Sequence, residues 1–286
     1  MAVWGLQSLN AIAFGGLLFM LSAGFSLAFG LMRIPNLAHG SFFMLGAYVG
    51  FAALVAGLPF AVAVIAGGGA TAALGGLMER FVLRPLAGDE NSQILASIGI
   101  SFIVADAALV LWGGDPHHLP APDILRGALR FGDLVFPAYR AAVVVFALLL
   151  AIALWLALDK TRIGAQLRAG VDDRQMARGV GIRVSRLQTL VFSLGAALAG
   201  VGGVVGGPIL SAYPGLDQDM LPLALIVVIL GGVGSLPGSL VASMIIGAIY
   251  TLGQTLLPDL ANVILFVPMV AVLVLRPRGL FGRSAA

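Results

Sequence analysis

Long apolar runs separated by short polar clusters dominate this chain. A helix needs about 20 apolar residues to cross a hydrocarbon core ~30 Å thick. Residues 8–32, 38–57, 59–78, 94–112, 141–158, 187–210, 220–235, 239–257 and 261–275 supply nine such runs. They predict an all-α, polytopic membrane helix bundle of about 8–9 transmembrane segments, forming a single membrane-embedded domain over residues 1–286. The short run 220–235 and the break at Leu58-Pro59 read as re-entrant or half-spanning pieces, which need protein rather than lipid around them. Gly occurs 39 times, and the stretch GAALAGVGGVVGG (195–207) sets Gly202 four before Gly206 and Gly203 four before Gly207. That spacing predicts a tight helix–helix seam, because small residues let backbones approach where lipid gives no hydrophobic drive to pack.

Composition sharpens the membrane assignment. Sixty per cent of residues are hydrophobic and ten per cent charged, against roughly 25% charged in a soluble fold. The mean hydropathy is +1.05. Cys is absent, which excludes disulfides and thiolate metal sites. A net charge of +3 is no nucleic-acid footprint, so no nucleic acid is expected as a partner. With nine spans, one side receives Arg33, Arg80 and Arg84, seven basic residues of the loop 159–186 and three of the tail, 13 of 16 in all. The other side holds Arg126, Arg130 and Arg140. Basic residues mark the cytoplasmic side, which predicts an outer N-terminus and a cytoplasmic C-terminus. No Lys or Arg precedes the first apolar run, so that run reads as a retained span and not a secretory signal.

Polar residues in this setting are candidates for chemistry. Arg33, Pro35, Asn36 and His39 fall within seven positions. Pro35 ends a helix, and Asn36 can cap the next one, which makes this first of all a hairpin at the inner membrane face. His39 should face protein or a water-filled path, either bonded to a neighbouring helix or lining a gate. Asp106 is the one acid well inside a predicted span. It lies about 140° round the helix from the ridge Gln93, Ser97, Ser101, and reads as a carboxyl bonded across a helix interface or as a proton-carrying site. The stretch WGGDPHHLPAPD (112–123) brings Asp115, His117, His118 and Asp123 to an outer loop. Adjacent histidines diverge, so no metal or cofactor is expected there. With Asp217, Asp219 and Asp259 the loop is expected to form an outer contact surface. Gly231, Gly232, Gly234 and Pro237 in GGVGSLPGS (231–239) predict a tight turn, or a broken helix near a transport path.

The longest polar stretch on the basic side is DKTRIGAQLRAGVDDRQMARGVGIRVSRLQ (159–188). Asp172 and Asp173 suit an N-cap and first turn, Arg174, Gln175, Met176, Ala177 and Arg178 can form one or two turns, and Gly179 or Gly181 can stop them. A short capped helix at the cytoplasmic surface is expected; the plainer alternative is a loop held to anionic membrane lipid by its arginines. Lys160 is the sole lysine, and Asp159 stands where a phosphate-binding Gly-Lys-Thr would need Gly, so a Walker-type ATP site is excluded.

QMARGVG (175–181) resembles a degenerate EAA loop of ABC import permeases, with Ala177 and Gly181 matching and Gln175 and Met176 replacing the usual Glu and Ala. FGLMRIPNLAHGSFFMLGAY (29–48), LASIGISFIVADAALVLWGGDP (95–116), VILGGVGSLPGSL (228–240) and RPRGLFG (276–282) resemble, in order, LivH-type permeases of branched-chain amino acid importers. The resemblance covers nearly the whole chain. It implies a bacterial inner-membrane assembly of this chain with a second permease of LivM type, two ATP-binding subunits and a periplasmic substrate-binding protein. It further implies that residues 172–178 and Gly181 form the helix that docks on the ATPase. Asn36, His39, Gly40, Ser41, Asp106, Gly231, Gly232, Gly234 and Pro237 would shape the gate or pathway. The expected cargo is a branched-chain or other hydrophobic amino acid; urea, amides or aromatic acids are the alternatives within the family. A proton-coupled secondary transporter using Asp106 is the rival mechanism. An intramembrane enzyme would need a nucleophile–base pair or metal cluster in the spans, and the sequence offers none.

Overall fold

The computed structural model describes residues 2–32, 36–131, 134–276 and 278–282. Its helices are α1 (Ala2–Met32), α2 (His39–Val55), α3 (Phe60–Met78), α4 (Glu90–Trp112), α5 (Ala138–Lys160), α6 (Arg162–Asp172), α7 (Arg174–Gly179), α8 (Val184–Leu210), α9 (Leu216–Gly231), α10 (Leu236–Leu256), α11 (Ala261–Ile264) and α12 (Phe266–Leu275). A wider π-helical turn, Glu79–Leu83, continues α3. The stretches Trp4–Gly30, Phe60–Leu83, Glu90–Trp112, Ala138–Lys160, Val184–Leu210 and Leu236–Leu256 are long and apolar enough to cross a membrane. The chain is therefore an all-α, multi-pass membrane bundle. α2, α9 and α12, which answer to the other three apolar runs, are shorter, with 17, 16 and 10 residues. One element lies outside the predicted scheme: a small antiparallel hairpin, β1 (Ala128–Phe131) with β2 (Leu134–Pro137), pairing Leu129 with Phe136.

The helices sort the connections onto two ends. At one end Gly30 of α1 meets Gly234 of the α9–α10 turn, Arg84 bonds Ser185 O and Thr189 of α8, and α6 and α7 follow α5. Among the described residues every Lys and Arg except Arg126, Arg130 and Arg140 stands there, and we call it the basic end. At the far end Arg140 bonds Asn10 and His117 bridges Ala212.

α8 is the hub, packing on α1, α2 and α3, and its glycines explain why. A Cβ on Gly24 of α1 would stand 2.3 Å from the Gly195 carbonyl oxygen, and one on Gly203 would stand 1.9 Å from Phe43 O of α2. Only glycine permits backbones this close, so the 195–207 stretch is the central seam of the bundle. α5 lies at the periphery, with Val145, Leu148, Leu149, Ile152 and Leu156 exposed, as a lipid-facing helix requires. Deep at the basic end, buried Glu79 accepts bonds of 3.2 and 2.7 Å from Arg84. This pair ties the π-turn to α8.

The tail closes the basic end. Leu280 N donates to Leu230 O (2.8 Å) and Phe281 N to Gly231 O (3.1 Å), satisfying carbonyls left free at the end of α9. Gly232 and Gly279, both at positive φ (97° and 81°), touch at this junction.

Candidate functional site

Two helices begin inside the bundle rather than at its faces. His39, the first residue of α2, bonds through Nε2 to Leu21 O of α1 (2.9 Å). Leu21 is eleven residues before Met32, about 16 Å up α1 from its basic end at 1.5 Å per residue. The carbonyl can only accept, so the ring nitrogen donates. The expected hairpin is therefore not a level one: α2 starts well inside the basic end of α1. Arg33 and Pro35, assigned to that hairpin, lie outside the described residues. Asn36 accepts from Ala38 N (3.1 Å) through its side chain and from His39 N (3.1 Å) through its carbonyl, forming the turn that launches α2. Phe25 and Phe42 flank the buried His39 ring at 5.1 and 6.2 Å.

From the far end the chain turns inward at Ser211, whose φ is 66°. Ala212 still pairs with His117, yet five residues later Asp217 lies against Gly40 and Ser41 at the start of α2. α9 therefore runs from the interior to the basic end. Asp217 is 4% exposed, which corrects its expected place on an outer contact surface. Its Oδ2 accepts from Ser41 (3.2 Å) and lies 3.5 Å from Ser101 Oγ, while the two hydroxyls are 2.8 Å apart. Its position in the first turn of α9 sets the carboxylate at the positive end of that helix, and the start of α2 adjoins it.

α4 completes a polar seam. Ser97 Oγ accepts from Leu37 N (3.2 Å) and donates to Ile94 O (2.8 Å), and Gln93 donates to Leu83 O (2.7 Å). Asp89 caps α4 by accepting from Ser92; the Ser92 hydroxyl and backbone N–H hold its carboxyl below the usual range. Several buried polar atoms of the seam have no partner among the described residues: Asn36 Nδ2, Gln93 Oε1, Asp217 Oδ1 and Tyr48 OH. A buried polar atom left without any partner costs about 1–3 kcal/mol, so each of these calls for a partner of its own.

The expected gate residues fall in three places. Asn36, His39, Gly40 and Ser41 belong to the seam. Gly231, Gly232, Gly234 and Pro237 form the turn at the basic end, where Ser235 caps α10 by accepting from Gly238 N (3.1 Å) and Pro237 sits in its first turn. Asp106 lies on the exposed face of α4, away from both. A carboxylate facing hydrocarbon costs about 3 kcal/mol at the centre of a span and less toward the ends. His117 and His118 pin the outer loop, bonding Trp112 O (2.8 Å) and Ser211 Oγ (3.4 Å) respectively. No group of three or more His, Asp or Glu among the described residues is placed to hold a metal ion.

In the long basic loop, α7 is bounded at both ends. Asp173 accepts from Gln175 N and Met176 N (2.8 and 2.9 Å). Gly181, with φ of 87°, ends the helix, and Ile182 N returns to Ala177 O (3.0 Å). Asp172, expected to share the cap, instead closes α6, a helix absent from the sequence expectation. Met176 and Val180 are exposed, whereas Ala177 is buried.

Comparison with known proteins agrees with this architecture. A family model described as branched-chain amino acid transport system / permease component matches residues 7–273. The high-affinity branched-chain amino acid transport system permease protein BraD of Pseudomonas aeruginosa is 28% identical over 298 residues, covering 97% of this chain and 95% of BraD. LivH of Salmonella typhimurium is 27% identical over 296 residues, with the same coverage of each chain. PsaBC from Streptococcus pneumoniae, solved in complex with Fab, shares the fold at a TM-score of 0.55 and 13% identity, over 93% of this chain and 89% of that one. By the extent of the family match, this chain belongs to the permease components of branched-chain amino acid transport systems.

Proposed function

We propose that this chain is the inner-membrane permease subunit of an ATP-driven importer for branched-chain or other hydrophobic amino acids. BraD and LivH are both named for branched-chain amino acid transport, and the basic end, by its arginines, faces the cytoplasm. The other parts are a second permease, two ATP-binding subunits and a binding protein that approaches the hairpin and the 113–127 loop at the far end. In this reading the chain passes through the bilayer eight or nine times, the six long helices making full crossings and α2 and α9 starting part-way through.

The observation that carries the reading is the position of α7. It stands at the basic end with Met176 66% and Val180 70% exposed, and Gly181–Arg183 lead directly into α8. A force applied to α7 by an ATPase subunit would reach α1, α2 and α3 through the glycine seam, and so reach the starts of α2 and α9. Asn36, His39, Gly40 and Ser41, with Ser101 and Asp217, then act as the gate that alternates access between the two faces.

The test is uptake into proteoliposomes holding the whole complex. Met176→Asp places a carboxylate on the exposed face of α7 and is expected to lower ATP-driven uptake at least tenfold while the complex still elutes intact. Uptake that survives a catalytically dead ATPase subunit but collapses with a protonophore would overturn the proposal in favour of a proton-coupled carrier.

A further inference from the structure

α4 and α5 are the two most uncovered long helices of the bundle, and their outer faces differ in kind. The outer face of α5 carries Val145, Leu149, Ile152 and Leu156, all apolar. That of α4 carries Gly99, Phe102, Asp106 and Val110, the last 84% exposed. Asp106 lies 200° round the helix from buried Val104 and Ala108 at about 100° per residue, directly away from the bundle. It has no hydrogen-bond or ion-pair partner among the described residues.

Depth makes this placement informative. Asp106 is six residues before Trp112, the last residue of α4, and so about 9 Å below the far end. Side chains on a helix lean toward its N-terminus, which for α4 is the basic end. The short carboxyl therefore leans deeper into the bilayer and cannot reach the far surface as a long Lys or Arg side chain does. An acid in this position is expected to face protein or a water-lined path. Gly99, one heptad earlier on the same face with nothing within 4 Å of its would-be Cβ, leaves room for a second backbone to come close.

We propose that this face of α4 packs against a second, non-identical permease chain, which presents a hydrogen-bond donor to Asp106. The proposal rests on the reading of the chain as one half of a paired permease. A second copy fits less well. Where this face lies on a twofold axis along the membrane normal, the two Asp106 carboxyls meet at one depth, and an ionised carboxylate has no donor to offer its twin. The face of α5 is left to lipid.

The whole importer, expressed in membranes with all its subunits, provides the test. A photoreactive benzoylphenylalanine replaces Val110 or, as control, Ile152. Illumination is expected to join the Val110 variant to the second permease, with the Ile152 variant giving at least tenfold less of that adduct. A Val110 adduct with a second copy of this chain, or equal adducts from the two positions, would overturn the assignment. In parallel, Asp106→Asn is expected to keep co-purification of the second permease near the unaltered level, and Asp106→Leu to lower it about tenfold. Equal co-purification from both variants would remove the donor contact to Asp106. Neither readout uses transport, so a failure of ATP-driven uptake leaves this result standing, and the reverse.

Discussion

Asp217 and Ser41 are 176 positions apart in sequence and meet where two helices begin. Replacing Asp217 by Leu strips Ser41 and Ser101 of their common acceptor and should destabilise the bundle by about 2 kcal/mol. Asp217→Asn, which keeps an acceptor oxygen, should lose less. Thermal unfolding of the purified chain in detergent measures both, and a Leu variant as stable as the unaltered chain would deny Asp217 a role in joining α2 to α9. For His39, Gln is the informative substitution, since its amide can still donate toward Leu21 O. Uptake several-fold below normal from an assembled complex is expected, and a normal rate would remove His39 from the gate. Local sequence made part of this seam legible: Gln93, Ser97 and Ser101 already formed a ridge at four-residue spacing. The place of Asp217 was not. Nothing in PGLDQD (214–219) reports depth, and an acid after Pro-Gly reads as an outer turn.

At the scale of elements, glycine and one ion pair do most of the fixing. A Cβ at position 203 would strike a backbone oxygen that no rotamer change can move, so Gly203→Ala should cost about 1–3 kcal/mol through forced separation of α2 and α8. A reduced unfolding temperature checks this. Glu79→Gln leaves Arg84 without its anion at the foot of α3. The cost should be about 2 kcal/mol, below the ~3–5 kcal/mol of a wholly buried pair, because 33% of the Arg84 side chain is exposed. A Glu79→Gln variant that unfolds at the usual temperature would show the pair to be of no consequence. Each of the nine apolar runs holds a helix, because burial in lipid and a 3.6-residue repeat leave an apolar chain few other choices. α6 is not legible in the sequence for the opposite reason. RIGAQLRAGVD (162–172) contains two glycines and little hydrophobic bulk, and it is stabilised by Thr161 accepting from Gly164 N and by Arg168 bonding Leu158 O. The cap is local, whereas the contact with Leu158 O exists only once α5 is in place.

Across the whole molecule, the arginine distribution and the two sets of connections give one testable polarity. Because the chain has no cysteine, single cysteines at Ile124, 91% exposed, and at Met176 should react with an impermeant thiol reagent from opposite sides of a sealed vesicle. Reaction of both from the same side would contradict the topology. The overall bundle was readable because span length and charge asymmetry are one-dimensional signals; the interior starts of α2 and α9 were not, since they depend on residues from distant parts of the chain. That dependence bears on biogenesis. As the nascent chain enters the bilayer, α2 is made long before α8 and α9, so its polar N-terminus must wait, incompletely housed, until some 180 further residues have been synthesised. Ribosome-stalled chains ending after α5 should leave that turn open to aqueous labelling, and completion through α9 should close it.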